Sequence, residues 1–217
     1  MRKYRNKILV KFISNHATNI IFVTIGYIAS MLLVKYVIVP VQQSYLPMVT
    51  TFAALIFPLH GVRVLAAWLF GWKSILYLFF ANTIMHFTLT PDNELTIKSM
   101  YAWLLVSSVA WATFSFLKFI GIGFTTKNHQ NSFSMWKFLL LVGFVSSFIN
   151  SLGHNIIFAN EILPENSIPT MFAFIVGDST GTFLSFLVLM LIFRIQRTLK
   201  KYFERDWAFG FLMNPLS

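Results

Sequence analysis

The sequence predicts an all-α integral membrane protein, a bundle of about six transmembrane helices, and three observations carry that prediction. The 217 residues are 57% hydrophobic and only 11% charged, with 25 phenylalanines, which is too apolar for a soluble domain. Apolar windows of about 20 residues recur, the length a helix needs to cross roughly 30 Å of hydrocarbon. Basic residues gather at the ends of these windows and at both termini, an arrangement that calls for an even number of passes. The same placement accounts for the net charge of +10 without nucleic acid, because no basic, aromatic-studded soluble face is present. Cysteine is absent, so disulfides, thiolate metal sites and cysteine nucleophiles are excluded.

The elements follow in order. Residues 1–18 form a basic cytoplasmic arm carrying Arg2, Lys3, Arg5, Lys7 and Lys11, and no small-residue cleavage site marks it as a signal peptide. Residues 19–195 make the six-span bundle, beginning with Asn19 to Val39. The second span, Tyr45 to Phe70, is expected to be broken at Pro58–Gly61, because Pro58 removes a helical hydrogen bond. The third, Ser74 to Leu89, is short enough to be tilted or re-entrant. Met100 to Phe124, Trp136 to Phe158 and Thr170 to Ile195 complete the set. With a cytoplasmic amino terminus, Lys73, Lys118, Lys127, Lys137, Arg194 and Arg197 fall inside, while Asp92, Glu94, Glu161 and Glu165 fall in outer loops. Four spans with a re-entrant pair is the alternative. Residues 127–134 read as a polar linker. Residues 196–217, basic at first and then carrying Tyr202, Trp207 and Phe211, read as an interfacial cytoplasmic tail.

Asp178, in Gly177-Asp178-Ser179-Thr180-Gly181, is the only carboxylate inside the apolar segments. An ionised side chain there costs several kcal/mol unless paired or hydrated, so it is expected to face the bundle interior, either in a polar cavity or in a purely structural ion pair. Ser147, Asn150 and His154 share one helix face by their spacing, as do Asp178, Thr182 and Ser185, which implies an outer-half cavity or a hydrogen-bond seam. His60 and Arg63 lie at the expected break, where freed backbone would line a cavity. Arg63 is then a partner of Asp178, a contact for an anionic ligand, or a basic anchor at the inner edge. His86 is expected to make an interhelical hydrogen bond. Gly177 and Gly181, four apart, would let another helix approach closely. No phosphate loop, zinc-protease helix, GxSxG elbow or paired-carboxylate arrangement supports enzyme chemistry.

The run Phe57-Pro58-Leu59-His60-Gly61, leading through Arg63 and Trp68 to Gly71-Trp72, together with Gly177-Asp178-Ser179-Thr180-Gly181, resembles the membrane-associated sensor domains (MASE type) of bacterial signalling proteins. Over roughly Thr50 to Arg194 the resemblance implies a multi-span sensory input module of a bacterial inner membrane. The chain has fewer spans than is usual there and lacks the cyclase, phosphodiesterase or kinase domain that normally follows, so output would pass to a partner protein. A looser resemblance is to the S components of energy-coupling-factor transporters, six-span basic proteins of similar length that bind a small molecule and depend on partner subunits. A haem or quinone protein using His60, His86 and His154 is a third alternative, requiring two histidines that face each other at one depth. The expectation is thus a non-enzymatic, multi-pass inner-membrane module without a cofactor, with both termini cytoplasmic. Its ligand or partner helix would be recognised by Asp178, His154, Asn150, His60 and Arg63, and homo-oligomerisation stays open.

Overall fold

The computed structural model describes residues 2–45, 54–89, 95–122, 132–159 and 164–213; for 2–15, 132–134, 164–166 and 201–213 it describes the backbone alone. Every regular element among these is helical. The first rod runs as α1 (Arg2–Leu33), a single π-helical turn (Val34–Ile38) and α2 (Val39–Tyr45). Then come α3 (Pro58–Phe70), α4 (Lys73–Leu89), α5 (Ile97–Phe119), α6 (Ser132–Ile157) and α7 (Pro164–Met213). The segments expected to hold Asp92, Glu94, Glu161 and residues 127–131 lie outside the described residues.

Among the described residues, four helices are long and apolar enough to cross a membrane: His16–Tyr45, Ile97–Phe119, Met135–Ile157 and Ser167–Lys200. Their outward faces carry large apolar side chains such as Phe22, Tyr101, Phe144 and Phe183, which is where lipid would be met. The helices α3 and α4 are shorter. With 13 and 17 residues, they reach about 20 and 26 Å at 1.5 Å per residue, less than the thickness of a hydrocarbon core. A tight turn joins them at Gly71, whose φ of +59° is easy only for glycine.

The expected break in the second span takes a different form. Pro58 occupies the first turn of α3, where its missing N–H costs nothing, and the helix then runs without interruption through His60, Gly61 and Arg63. The irregular backbone precedes Pro58, at residues 54–57. It lies against α7, with the Phe57 N–H donating to Gly177 O at 2.9 Å. A Cβ at Gly177 would stand 2.1 Å from Ala54 O, and one at Gly181 would stand 2.2 Å from the Phe57 carbonyl. These two glycines therefore admit a non-helical strand of backbone, not the second helix that their spacing suggests.

Packing places α3 at the centre. It contacts α1, α4, α5, α6 and α7, and these five form a partial ring in which α1 packs on α4, α4 on α5, α5 on α6 and α6 on α7. Two apolar clusters hold the halves together, one around Tyr27, Leu59 and Leu78 and one around Val64, Val142 and Phe186. Among the described residues the ring stays open between α1 and α7. A cavity of about 460 Å³ lies there, lined by Leu33, Ile56, Val62, Leu184, Val188 and Ile192 among others.

Candidate functional site

The central position of α3 decides which polar groups meet. His60, in its first turn, and Arg63, one turn later, are both buried, and each reaches a different neighbour. His60 turns toward α6 and α7. Its Nδ1 lies 3.4 Å from Asp178 Oδ2, while its Nε2 lies 3.2 Å from Gly143 O and 2.9 Å from Ser146 Oγ. Asn150 Nδ2 donates to the same Asp178 oxygen at 2.7 Å. Asp178 is thus held by α3 and α6 together, opposite the first turn of α3, where the helix dipole favours a negative charge. Close helix approach makes this junction tight: a Cβ at Gly61 would fall 2.4 Å from Ser185 Cβ, and one at Gly143 would fall 2.7 Å from Thr182 Cγ2. Ser185 Oγ donates both to Gly181 O and across to Pro58 O.

Arg63 turns the other way. Its Nε and Nη2 donate to the Tyr27 hydroxyl at 3.1 and 2.8 Å, and the guanidinium lies over the Tyr27 and Phe57 rings at 5.7 and 5.6 Å. Such ring contacts stabilise a cation by about 0.5–2 kcal/mol each, more when water is excluded. The Tyr27 hydroxyl donates its own proton to Asn82 Oδ1, and Asn82 Nδ2 reaches Leu78 O and Ser107 Oγ. The expected Arg63–Asp178 ion pair does not form: among the described residues Asp178 faces His60, and Arg63 faces a phenol. The physical reason is the helix itself, since residues three apart on α3 point about 60° apart and so toward α7 and α1 respectively.

The structure brings Asp178, His60 and Asn150 into one cluster, whereas Arg63 and His154 sit beside it. His154 is one turn from Asn150, its ring edge-on to Phe158 and Phe174 at 5.9 and 5.4 Å. The two helix faces read from spacing do meet. Ser147 pairs with Ser179, Asn150 with Asp178 and Ser151 with Met171 O, and Ser167 donates to Asn155, so the end of α6 is laced to the first part of α7. His86 lies edge-on to Trp103 of α5, an interhelical contact. The three histidines of the haem alternative therefore have three separate settings, and both ring nitrogens of His60 face protein groups.

Spacing on single helices misses Tyr27, Asn82, Ser107 and Ser146. Tyr27 and Asn82 lie in largely apolar runs, and that setting is the signal they offer. Together the polar residues form two chains that touch α1 and each helix from α3 to α7: Ser107, Asn82, Tyr27 and Arg63 on one side, then His60, Asp178, Asn150 and Ser146 on the other. The large cavity lies elsewhere, on the aliphatic flank between α1 and α7. Comparison with protein-family models, curated proteins and solved structures finds no match for this chain.

Proposed function

We propose that this chain is a non-enzymatic, multi-pass sensory or accessory module of a bacterial cytoplasmic membrane, whose recognition element is the α3–α6–α7 junction. The observation that carries the reading is the fully buried His60–Asp178 contact. An ionisable pair at a crossing of three helices is costly, and a fold that needed only packing would do as well with apolar side chains. A change in charge or hydrogen bonding there would act at once on three helices, whose close approach at Gly61 and Gly143 leaves little slack. In this reading α3 and α4 count as two short passes, giving six in all with both termini cytoplasmic, and a partner protein receives the output. The second reading, a substrate-binding subunit of a small-molecule transporter, is favoured by the aliphatic cavity between α1 and α7.

The test is purification of the wild type and of Asp178→Asn from native membranes in lipid nanodiscs, with mass spectrometry of every bound polypeptide and small molecule. A signalling enzyme retained by the wild type and lost from a folded Asp178→Asn is the expected result. A small molecule together with an ATPase subunit moves the assignment to the transporter reading, and identical retention by both proteins removes the junction from recognition.

A further inference from the structure

The polar contacts around His60 bear on the protons that it shares with Asp178. Gly143 O can only accept, and Ser146 Oγ donates to that same carbonyl at 3.1 Å, so a proton on His60 Nε2 is the tautomer that gives both neighbours a donor. A neutral imidazole would then present the lone pair of Nδ1 to Asp178 Oδ2 at 3.4 Å. Two lone pairs facing each other in a buried site repel, so with Nε2 protonated one further proton belongs to the pair, either on Nδ1 as imidazolium against carboxylate or on Oδ2 as carboxylic acid against imidazole. Asn150 Nδ2 donates to Oδ2 in either form.

A route to that proton is built into the α6–α7 seam. Asn150 Oδ1, His154 Nδ1 and Thr170 Oγ1, like His60 Nδ1 itself, are shielded from solvent yet have no hydrogen-bond partner among the described residues, and Asn150 and Thr170 are 2% and 4% exposed. The bonds from Ser151 to Met171 O and from Ser167 to Asn155 set the antiparallel register, which brings His154 level with Thr170 and Phe174. Thr170 and Asp178 are eight residues, about 12 Å, apart along α7. Buried polar atoms left unpaired on the two facing helices that carry an ionisable pair suit a proton relay in a membrane protein.

We infer that the His60–Asp178 pair is a proton-binding site, loaded from the loop end of the α6–α7 hairpin through Thr170, His154 and Asn150. This rests on the reading of the junction as the recognition element, and names its ligand. The other charged or titratable groups close enough to act on the pair through space are Arg63 on α3, although it turns toward Tyr27, and His154 on α6. Tyr27 of α1 stands behind Arg63, α4 and α5 contribute the neutral Asn82 and Ser107, and α7 contributes Asp178 itself.

Infrared difference spectra of the protein in nanodiscs, recorded as pH is stepped across the range in which it stays folded, test the inference. The wild type should show a titrating carboxyl–imidazole signal that Asp178→Asn abolishes and whose midpoint His60→Gln moves. After a rapid pH jump, the Thr170→Val and His154→Phe double variant should reach the same final amplitude several-fold more slowly. A titration unchanged in Asp178→Asn overturns the site, and an unchanged rate in the double variant overturns the route. If Asp178→Asn loses its partner while no titration is seen, the proton inference fails and the functional reading stands. A titrating pair in a protein whose partners ignore Asp178→Asn upholds the proton site and overturns the functional reading.

Discussion

His60 and Arg63 lie one turn apart on α3, both buried, and the fold treats them in opposite ways. His60 is set against the only carboxylate of the apolar segments, with both nitrogens directed and three helices clamped around it. Arg63 has no acid within ion-pair distance among the described residues and is held by the Tyr27 hydroxyl and two aromatic rings. An arginine stays charged under all ordinary conditions, so a phenol and ring faces can hold it permanently. Histidine and aspartate can each gain or lose a proton. The α1 side of the molecule therefore holds a group whose charge is fixed, and the α6–α7 side holds two groups whose charge can change.

Truncating Asp178 should upset this division most. Asp178→Ala should destabilise the protein in detergent by about 3–5 kcal/mol, because it leaves a buried partner and Asn150 unmatched. Thermal unfolding followed by helical circular dichroism reads this, and a loss under about 1 kcal/mol would mean that the pair adds little to the folded state. Next in size are the glycines that admit residues 54–57. Gly177→Ala and Gly181→Ala each place a methyl within 2.2 Å of backbone that cannot swing aside, so each should cost about 3 kcal/mol, the upper end for overpacking. Equal stability to wild type would show that the 54–57 segment does not rest on α7. Smaller again is Tyr27→Phe, which keeps the ring over Arg63 but removes the hydroxyl. A loss of about 2 kcal/mol is expected for a hydrogen bond to a charged group, with no change in any signal from the His60–Asp178 pair. A change in that signal would show that the two sides of α3 are not independent.

Much of this arrangement is legible in the sequence, and the gaps have physical causes. Asp178 stands out because a carboxylate in an apolar run is expensive wherever it lies. The faces of Asn150 and His154 and of Asp178 and Thr182 follow from helical spacing, and they do meet. Arg63 is misdirected by the sequence because spacing along one chain gives depth but not azimuth: a residue three positions from His60 lies one turn away and still points at another helix. Pro58 reads as a break because it falls inside an apolar run, whereas its position in the first turn of α3 makes it a start. Spacing four between Gly177 and Gly181 reports a smooth helix surface and says nothing about what rests on it. Tyr27, Asn82 and Ser146 become partners only through tertiary contact, which no local pattern encodes.

Whether His60 and Asp178 act as one unit while Arg63 stands apart can be decided by a pair of double-mutant cycles on folding stability in nanodiscs. Residues in contact couple by about 0.5–3 kcal/mol, whereas residues with no shared contact add to within a few tenths. Strong coupling is expected in the cycle of His60→Gln with Asp178→Asn, and clearly weaker coupling in the cycle of Arg63→Gln with Asp178→Asn. Additivity in the first cycle, or stronger coupling in the second, would contradict the division of fixed and variable charge across α3.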